Sequence, residues 1–329
     1  MYDKIIFKYR IGKGVFNIRQ KIVTVTLNPC IDKTMKVNGF CEGGLNRVEE
    51  VRSDAGGKGI NVAKVLKYFN AEVLATGIMG KQGSDVLVSE ITERKIEHRF
   101  LTVPGITRTN YKLYNKVTKQ ITEINEPGFN VSEKEKEGFL SLLKEQLGNT
   151  EILVLSGSVA PGISTDIYKE LTTLAKAKGI RTVLDAEGER FQKGLEAVPF
   201  AVKPNLYEME LYIGRKISGM NDLLLCGETI IKQGIELLAV SMGADGAVFM
   251  TKDERYYVKP PAVQCRSTVG AGDSMVAAIA YGLSQKMSIK ETACLATAAG
   301  TVTATKEGTQ VCSLPEVTDF LEKLLVESL

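Results

Sequence analysis

The chain is poor in the residues on which several kinds of chemistry depend. It holds one histidine, His98. A Ser–His–Asp triad would have to use it, yet no G-x-S-x-G elbow is present, so His98 reads as a structural or surface residue. The six cysteines, Cys30, Cys41, Cys226, Cys265, Cys294 and Cys312, are scattered without a C-x-x-C pair. That argues against a disulfide frame or a zinc site and for reduced thiols in a cytoplasmic protein. No apolar run approaches the ~18 residues that would span a bilayer. The basic N-terminus is not followed by an apolar segment with a small-residue cleavage site, so neither a membrane nor a secretory leader is expected. A G-x-x-x-x-G-K-[ST] loop is missing, and Gly57-x-Gly59 lacks the third glycine of a dinucleotide fingerprint, which disfavours a nicotinamide oxidoreductase. There is also no basic excess in the body of the chain. The net charge is +3, but Lys4, Lys8, Arg10, Lys13 and Arg19 against Asp3 give the first 20 residues +4 and leave −1 for the remainder. Nucleic acid is therefore not an expected partner. Residues 1–20 read as an N-terminal extension: a tail, an added strand, or an upstream start.

What is present describes a folded α/β protein. With 329 residues, 44% hydrophobic and 25% charged, the chain can bury a large core as one or two domains. Lys21 to Leu27 alternates β-branched residues and predicts a first strand, ended by Asn28-Pro29. Asp32 lies just beyond, at the strand end where open α/β sheets place ligands. From residue 130 strands and helices alternate. Ser132 with Glu135 caps a helix to Leu147. Glu151 to Ser156 is a continuous apolar strand of the kind buried on both faces, and it runs into Ser156-Gly157-Ser158. Arg181 to Leu184 ends in Asp185, and Leu237 to Ser241 ends at Gly243, with Gly246 to Thr251 as its neighbour. Capping boxes open helices after Ser288 and Ser313, the last predicted over Leu314–Leu325. The expected fold is a three-layer α/β/α sandwich around a mostly parallel sheet. Residues 33–55 and 108–127 break the pattern with short β-like pieces and predict a small inserted sheet. The resulting division is a main domain of 21–31, 56–107 and 128–329, with a β lid of 32–55 and 108–127.

Two Gly-rich turns open directly into helices, where free backbone N–H groups and the helix dipole favour anions. One is Ser267-Thr268-Val269-Gly270-Ala271-Gly272-Asp273-Ser274. A carboxylate at an anion site is unfavourable unless it handles a proton, so Asp273 beside these glycines points to phosphoryl transfer with a base. An ordinary Asp helix cap is the plain alternative. The other turn is Ala55-Gly-Gly-Lys58-Gly-Ile-Asn61, which carries a lysine. Lys203-Pro204-Asn205 begins a further helix, with Asn205 as cap and Glu208 nearby, both within reach of one hydrated cation. Arg108 is a polar anchor in a β-rich stretch.

These motifs, in this order and with Asn28-Pro29, Asp32 and Ser156-Gly-Ser158, resemble the PfkB (ribokinase-like) carbohydrate kinase family from about residue 22 to the end. Thr26-Leu-Asn-Pro29 and Ser267-Thr-Val-Gly-Ala-Gly-Asp-Ser274 are similar to its branch acting on phosphorylated ketohexoses. Lys58 is similar to the lysine shared by the enzymes of fructose 1-phosphate and tagatose 6-phosphate, and Arg108-Thr-Asn110 with Thr122-Glu-Ile-Asn125-Glu-Pro-Gly128 look more like those of fructose 1-phosphate. The resemblance implies that Asp273 is the base and that Gly270, Ala271 and Gly272 offer N–H groups to the transferring phosphoryl. It implies Asp32, Gly57 and Asn61 at sugar hydroxyls, and Lys58, Arg47, Arg108 and Ser158 at the substrate phosphate. Lys203, Asn205, Ser241, Gly243, Gly246 and Thr268 would bind ATP. Glu208, with Asp185 and Glu189 nearby, would organise Mg²⁺. The implied reaction is transfer from ATP to the 6-hydroxyl of fructose 1-phosphate. Tagatose 6-phosphate and fructose 6-phosphate are alternative substrates, and a non-catalytic sugar-phosphate-binding regulator is an alternative of another kind. Because lids in this family can pair between chains, a homodimer through the lid is an expectation too.

Overall fold

The computed structural model describes residues 21–329, so the expected extension of residues 1–20 lies outside the described residues. In chain order, strands β1 (Lys21–Thr26), β2 (Cys30–Val37) and β3 (Val48–Gly56) lead into helix α1 (Lys58–Tyr68). Then come β4 (Val73–Gln82), α2 (Ser84–Glu93), β5 (Glu97–Ile106), β6 (Arg108–Asn115) and β7 (Ile121–Asn125). The alternating part runs α3 (Glu133–Gln146), β8 (Thr150–Ser156), α4 (Ile167–Lys176), β9 (Arg181–Asp185), α5 (Gly188–Glu196), β10 (Ala201–Val202), α6 (Leu206–Ile213) and α7 (Gly219–Ile231). It continues with β11 (Leu237–Ser241), β12 (Ala247–Met250), β13 (Arg255–Lys259), α8 (Ala271–Ser284), α9 (Ile289–Ala304), α10 (Leu314–Phe320) and β14 (Leu325–Ser328).

Ten strands form one sheet in the order β14-β13-β12-β11-β10-β9-β8-β1-β4-β5. From β11 to β5 every neighbour is parallel, and β12, β13 and β14 add an antiparallel edge. The central strands are apolar on both faces, and successive side chains point opposite ways. In β8, Ile152 and Val154 enter a core shared with α1, α8 and α9. Leu153 and Leu155 enter the opposite core with α3, α4, α5 and α7. The result is the three-layer α/β/α sandwich. No helix of the described residues is long and apolar enough to cross a membrane.

The last helix is shorter than its pattern predicts. It stops at Phe320, passes through one 3₁₀ turn over Leu321–Lys323, and gives way to β14, which pairs antiparallel with β13. An open sheet edge offers a row of unpaired N–H and C=O groups, and that pairing ends the helix that the pattern carries to Leu325. Val326 packs against the core at the same time.

A second sheet, in the order β3-β2-β6-β7, stands over the C-terminal ends of β1 and β8. Its register puts Asp32, Asp54, Asn110 and Asn125 in one row, and Thr34, Arg52, Lys112 and Glu123 in the next row on the same face. That face is polar.

Candidate active site

A cavity of about 450 Å³ lies between the two sheets. Its floor is built by chain turns at strand and helix ends, because those are the places where backbone and short polar side chains are not used up by the sheet. Gly57 caps α1 with φ 115°, a conformation that favours glycine, and a Cβ there would stand 2.8 Å from the Thr26 methyl. Gly270 caps α8 in the left-handed region, φ 77°. The two helices therefore present their first turns to the same space.

Asn61, on the first turn of α1, donates from Nδ2 to Oδ2 of Asp273, on the first turn of α8, at 2.8 Å. Both side chains are buried. Burial pushes the Asp273 carboxyl up to about 6; Asp185 adds to the rise, while Lys58, the Asn61 amide and Lys203 oppose it. Asp185, at the end of β9, is buried and held between two ammoniums: Lys58 Nζ at 3.3 Å and Lys203 Nζ at 3.2 Å. The Ser156 hydroxyl donates to it at 3.0 Å. Burial alone would raise this carboxyl, but the two lysines outweigh it and bring it down to about 2. The same attraction, chiefly from Asp185, raises Lys58. Lys203 reaches over Gly272, so its ammonium sits 3.6 Å from where a Cβ would project. The floor is thus a chain of alternating charge, Lys58–Asp185–Lys203, running beneath the first turn of α8.

The roof is cationic at one side. Arg108 on β6 donates to Ser158 Oγ at 3.1 Å and to the carbonyls of Asn28 and Glu126 at 3.2 and 3.1 Å. All three acceptors are neutral, and Nε is buried with no hydrogen-bond partner. Lys112, four residues further along the same strand and buried, pairs with Asp32 at 3.1 Å. Four residues that line the cavity also carry a buried oxygen without a hydrogen-bond partner: Thr26 Oγ1, Asn28 Oδ1, Asn61 Oδ1 and Asn110 Oδ1. Cys30 also lines the space, but burial pushes its thiol up to about 12, which leaves it unreactive.

Of the residues named from the sequence, the cavity gathers Asp32, Gly57, Lys58, Asn61, Arg108, Ser158, Thr268 and Asp273. Gly270, Ala271 and Gly272 form the turn beneath it. Asn205, Ser241, Gly243, Gly246 and Glu208 form a second group at the neighbouring strand ends. There Asn205 bridges to Ser241, and the Met242 N–H donates to the Gly246 carbonyl at 2.8 Å. Asn205 and Glu208 cap α6 reciprocally, each side chain accepting the other's N–H at 2.8 Å. Lys203 and Asp185 connect the two groups. Arg47 does not reach the cavity: it is exposed on the loop between β2 and β3. Glu189 is exposed on the first turn of α5, and Glu187 is the acidic residue of that turn that lines the cavity. His98 sits in β5, where Nδ1 lies 3.2 Å from the Ile96 carbonyl, away from the cavity. The sequence reading missed Lys112 and named Thr26, Asn28 and Asn110 only within motifs, with no role at the site. Arg108-x-Asn110-x-Lys112 alternates with the period of a strand, and that spacing would have put all three on one face.

The fold, with two helix N-termini facing one cavity, is that of a carbohydrate kinase. The chain matches the pfkB family of carbohydrate kinases over residues 25–317, and it belongs to that family. It is 34% identical over 309 residues to the 1-phosphofructokinase of Escherichia coli K12, covering 93% of this chain and 97% of that protein. It is equally 34% identical to the 1-phosphofructokinase of Bacillus subtilis, over 93% of this chain and 98% of that one. Its backbone is similar to a crystal structure of phosphofructokinase-2 from Escherichia coli in complex with potassium, with a TM-score of 0.86 and 28% identity over 92% of this chain and 98% of that one.

Proposed function

We propose that this kinase transfers the γ-phosphoryl group of ATP to the 6-hydroxyl of fructose 1-phosphate, giving fructose 1,6-bisphosphate and ADP. The observation that carries the reading is the buried Asp273 carboxyl, held by Asn61 at the N-terminus of α8 and facing the cavity. In the reaction the sugar O6 forms a bond to the γ-phosphorus while the bond from that phosphorus to the ADP oxygen breaks. The hydroxyl proton passes to Asp273. Amides of Gly270, Ala271 and Gly272 and the ammonium of Lys203 meet the charge on the transferring group. Lys58 keeps Asp185 ionised and tempers the rise of Asp273. Arg108, whose partners are neutral, is the cation best placed to take the substrate phosphate, with Ser158 beside it and Lys112 further along the same strand face. Asp32, Asn61 and Asn110 take sugar hydroxyls. The second sheet acts as the lid that excludes water from the phosphoryl group. Asn205, Ser241, Gly243, Gly246 and Thr268 take the nucleotide.

Mg²⁺ fits the acidic side of this arrangement. Oxygen ligands suit it. Burial, with Asp185 adding, raises the Glu208 carboxyl against the pull of the Asn205 N–H and the two lysines, and a bound cation would reverse that rise. Glu208 would hold the ion through water, with Asp185 behind it and Glu187 on the cavity side. When bound, the ion neutralises charge on the ATP phosphates.

The lid face away from the cavity carries an apolar patch beside Lys33, Ser53 and Thr122. Tyr111 and Ile124 form one row, and Met35, Val51 and Leu113 lie in the next. Ile124 is 62% and Val51 53% exposed. A second copy of the lid is the covering we propose, giving a homodimer. The free thiols and the use of ATP fit a cytoplasmic enzyme.

Replacing Asp273 by Asn keeps the shape of the site and removes the base. It should bind both substrates yet lose ~10²–10⁴-fold in kcat. ADP release with fructose 1-phosphate checks this, and near-normal kcat would remove Asp273 from the role.

A further inference from the structure

Outside the cavity, one buried ion pair has no part in the chemistry above. Lys64 on α1 has its side chain 1% exposed and pairs with Glu90 on α2 at 2.8 Å. Both groups also reach the same residue of the lid. Lys64 Nζ donates to the Ala55 carbonyl at 2.5 Å, and the Ala55 N–H donates to Glu90 Oε2. Arg94 donates from Nε to Glu90 Oε1 at 3.0 Å and fixes that carboxylate from behind. Ala55 lies in β3, the edge strand of the second sheet. Its two backbone groups are therefore satisfied by a cation and an anion from two helices of the main body. An apolar pair of the same volume would leave both groups orphaned.

Ala55 stands at a sensitive place. The next residue, Gly56, lies so close to Asp32 that a Cβ would be 2.7 Å from Oδ2. After it come Gly57, the cap of α1, then Lys58 and Asn61. Lys64 lies one turn beyond Asn61 on the same helix. The pair thus ties together the root of the lid strand, the helix bearing Lys58 and Asn61, and α2.

We propose that Lys64 and Glu90 are positioning residues: they clamp Ala55 so that the Gly56–Lys58 turn holds Asp32, Lys58 and Asn61 in register with Asp273. The inference rests on the kinase reading above. It requires the sugar phosphate to feel the clamp and the nucleotide, bound at the other strand ends, to be indifferent to it.

The test uses the full chain with Lys64→Met, Glu90→Asp and Lys64→Arg. Glu90→Asp keeps the charge but shortens the reach to the Ala55 N–H, so it serves if Lys64→Met does not fold. Misplacing the site by an ångström costs on the order of 10²-fold, so Lys64→Met should lose about that much in kcat/KM for fructose 1-phosphate and Glu90→Asp about tenfold. KM for ATP should stay within about threefold, because nothing the clamp touches contacts the nucleotide group. Hydrogen exchange at Ala55 to Gly57 should quicken while β8 stays protected. Lys64→Arg should restore most of both. Faster exchange at Ala55 with unchanged kinetics would overturn the proposal, as would equal losses for both substrates. A wild type inactive on fructose 1-phosphate would instead count against the kinase reading, and the exchange measurement would still test the clamp.

Discussion

At the scale of single residues, the account turns on carboxylates whose surroundings pull them apart. Asp273 is raised to about 6, so kcat/KM should climb with unit slope through the acid range and level off above about pH 6. A pH–rate profile checks it, and an acid limb near 4 would place the essential base elsewhere. The same shift bears on stability. A carboxyl raised from 3.8 contributes fully below pH 3.8 and loses that contribution as pH rises through 6, by up to about 3 kcal/mol. The ligand-free wild type should therefore lose melting temperature between pH 4 and 7 relative to Asp273→Asn. Asp185, lowered to about 2, works in the other direction: its contribution is present above pH 3.8 and lost only as pH falls through 2. Lys112→Met would leave Asp32 buried without its ammonium, a loss of the kind worth about 3–5 kcal/mol. It should raise KM for fructose 1-phosphate at least ~10-fold while KM for ATP holds. Equal changes in both would show that Lys112 supports the fold alone. Asp273 was legible in the sequence because a carboxylate in a Gly-rich helix start is an anomaly that needs a reason. Lys112 was not, since a lysine in a strand is ordinary until the register shows which face it shares with Arg108.

At the scale of elements, the helix N-termini do the work that sequence can announce. Glycines with positive φ, capping boxes at Ser132, Asn205, Ser288 and Ser313, and apolar strands such as β8 all follow from local rules and are found where those rules put them. The C-terminus shows where local rules stop. Leu321 to Leu325 is compatible with a helix, and only the presence of β13's open edge decides for a strand. Removing residues 325–329 should expose that edge. A loss of about 1–3 kcal/mol is expected from four register pairs and the Val326 contact, read as a drop of several degrees in Tm together with a greater tendency to aggregate. An unchanged Tm would mean that β14 contributes nothing to the sheet.

At the scale of the whole molecule, two sheets meet over one cavity: the large one supplies the helix ends and Asp185, the small one supplies Arg108, Lys112 and Asp32. If the outer face of the small sheet is covered by a second copy, Ile124→Glu with Val51→Glu should convert a dimer to a monomer in sedimentation at micromolar concentration. A wild type already monomeric under those conditions would refute the pairing. The central claim is that this cavity phosphorylates fructose 1-phosphate with the substrate phosphate under the lid cations. The most direct measurement is kcat/KM for fructose 1-phosphate, tagatose 6-phosphate and fructose 6-phosphate side by side, followed by ADP release with ATP and Mg²⁺. The account predicts that fructose 1-phosphate is preferred by ~10-fold or more, the discrimination a misplaced phosphate should cost. ADP release with none of the three, or a preference for either 6-phosphate, would contradict it.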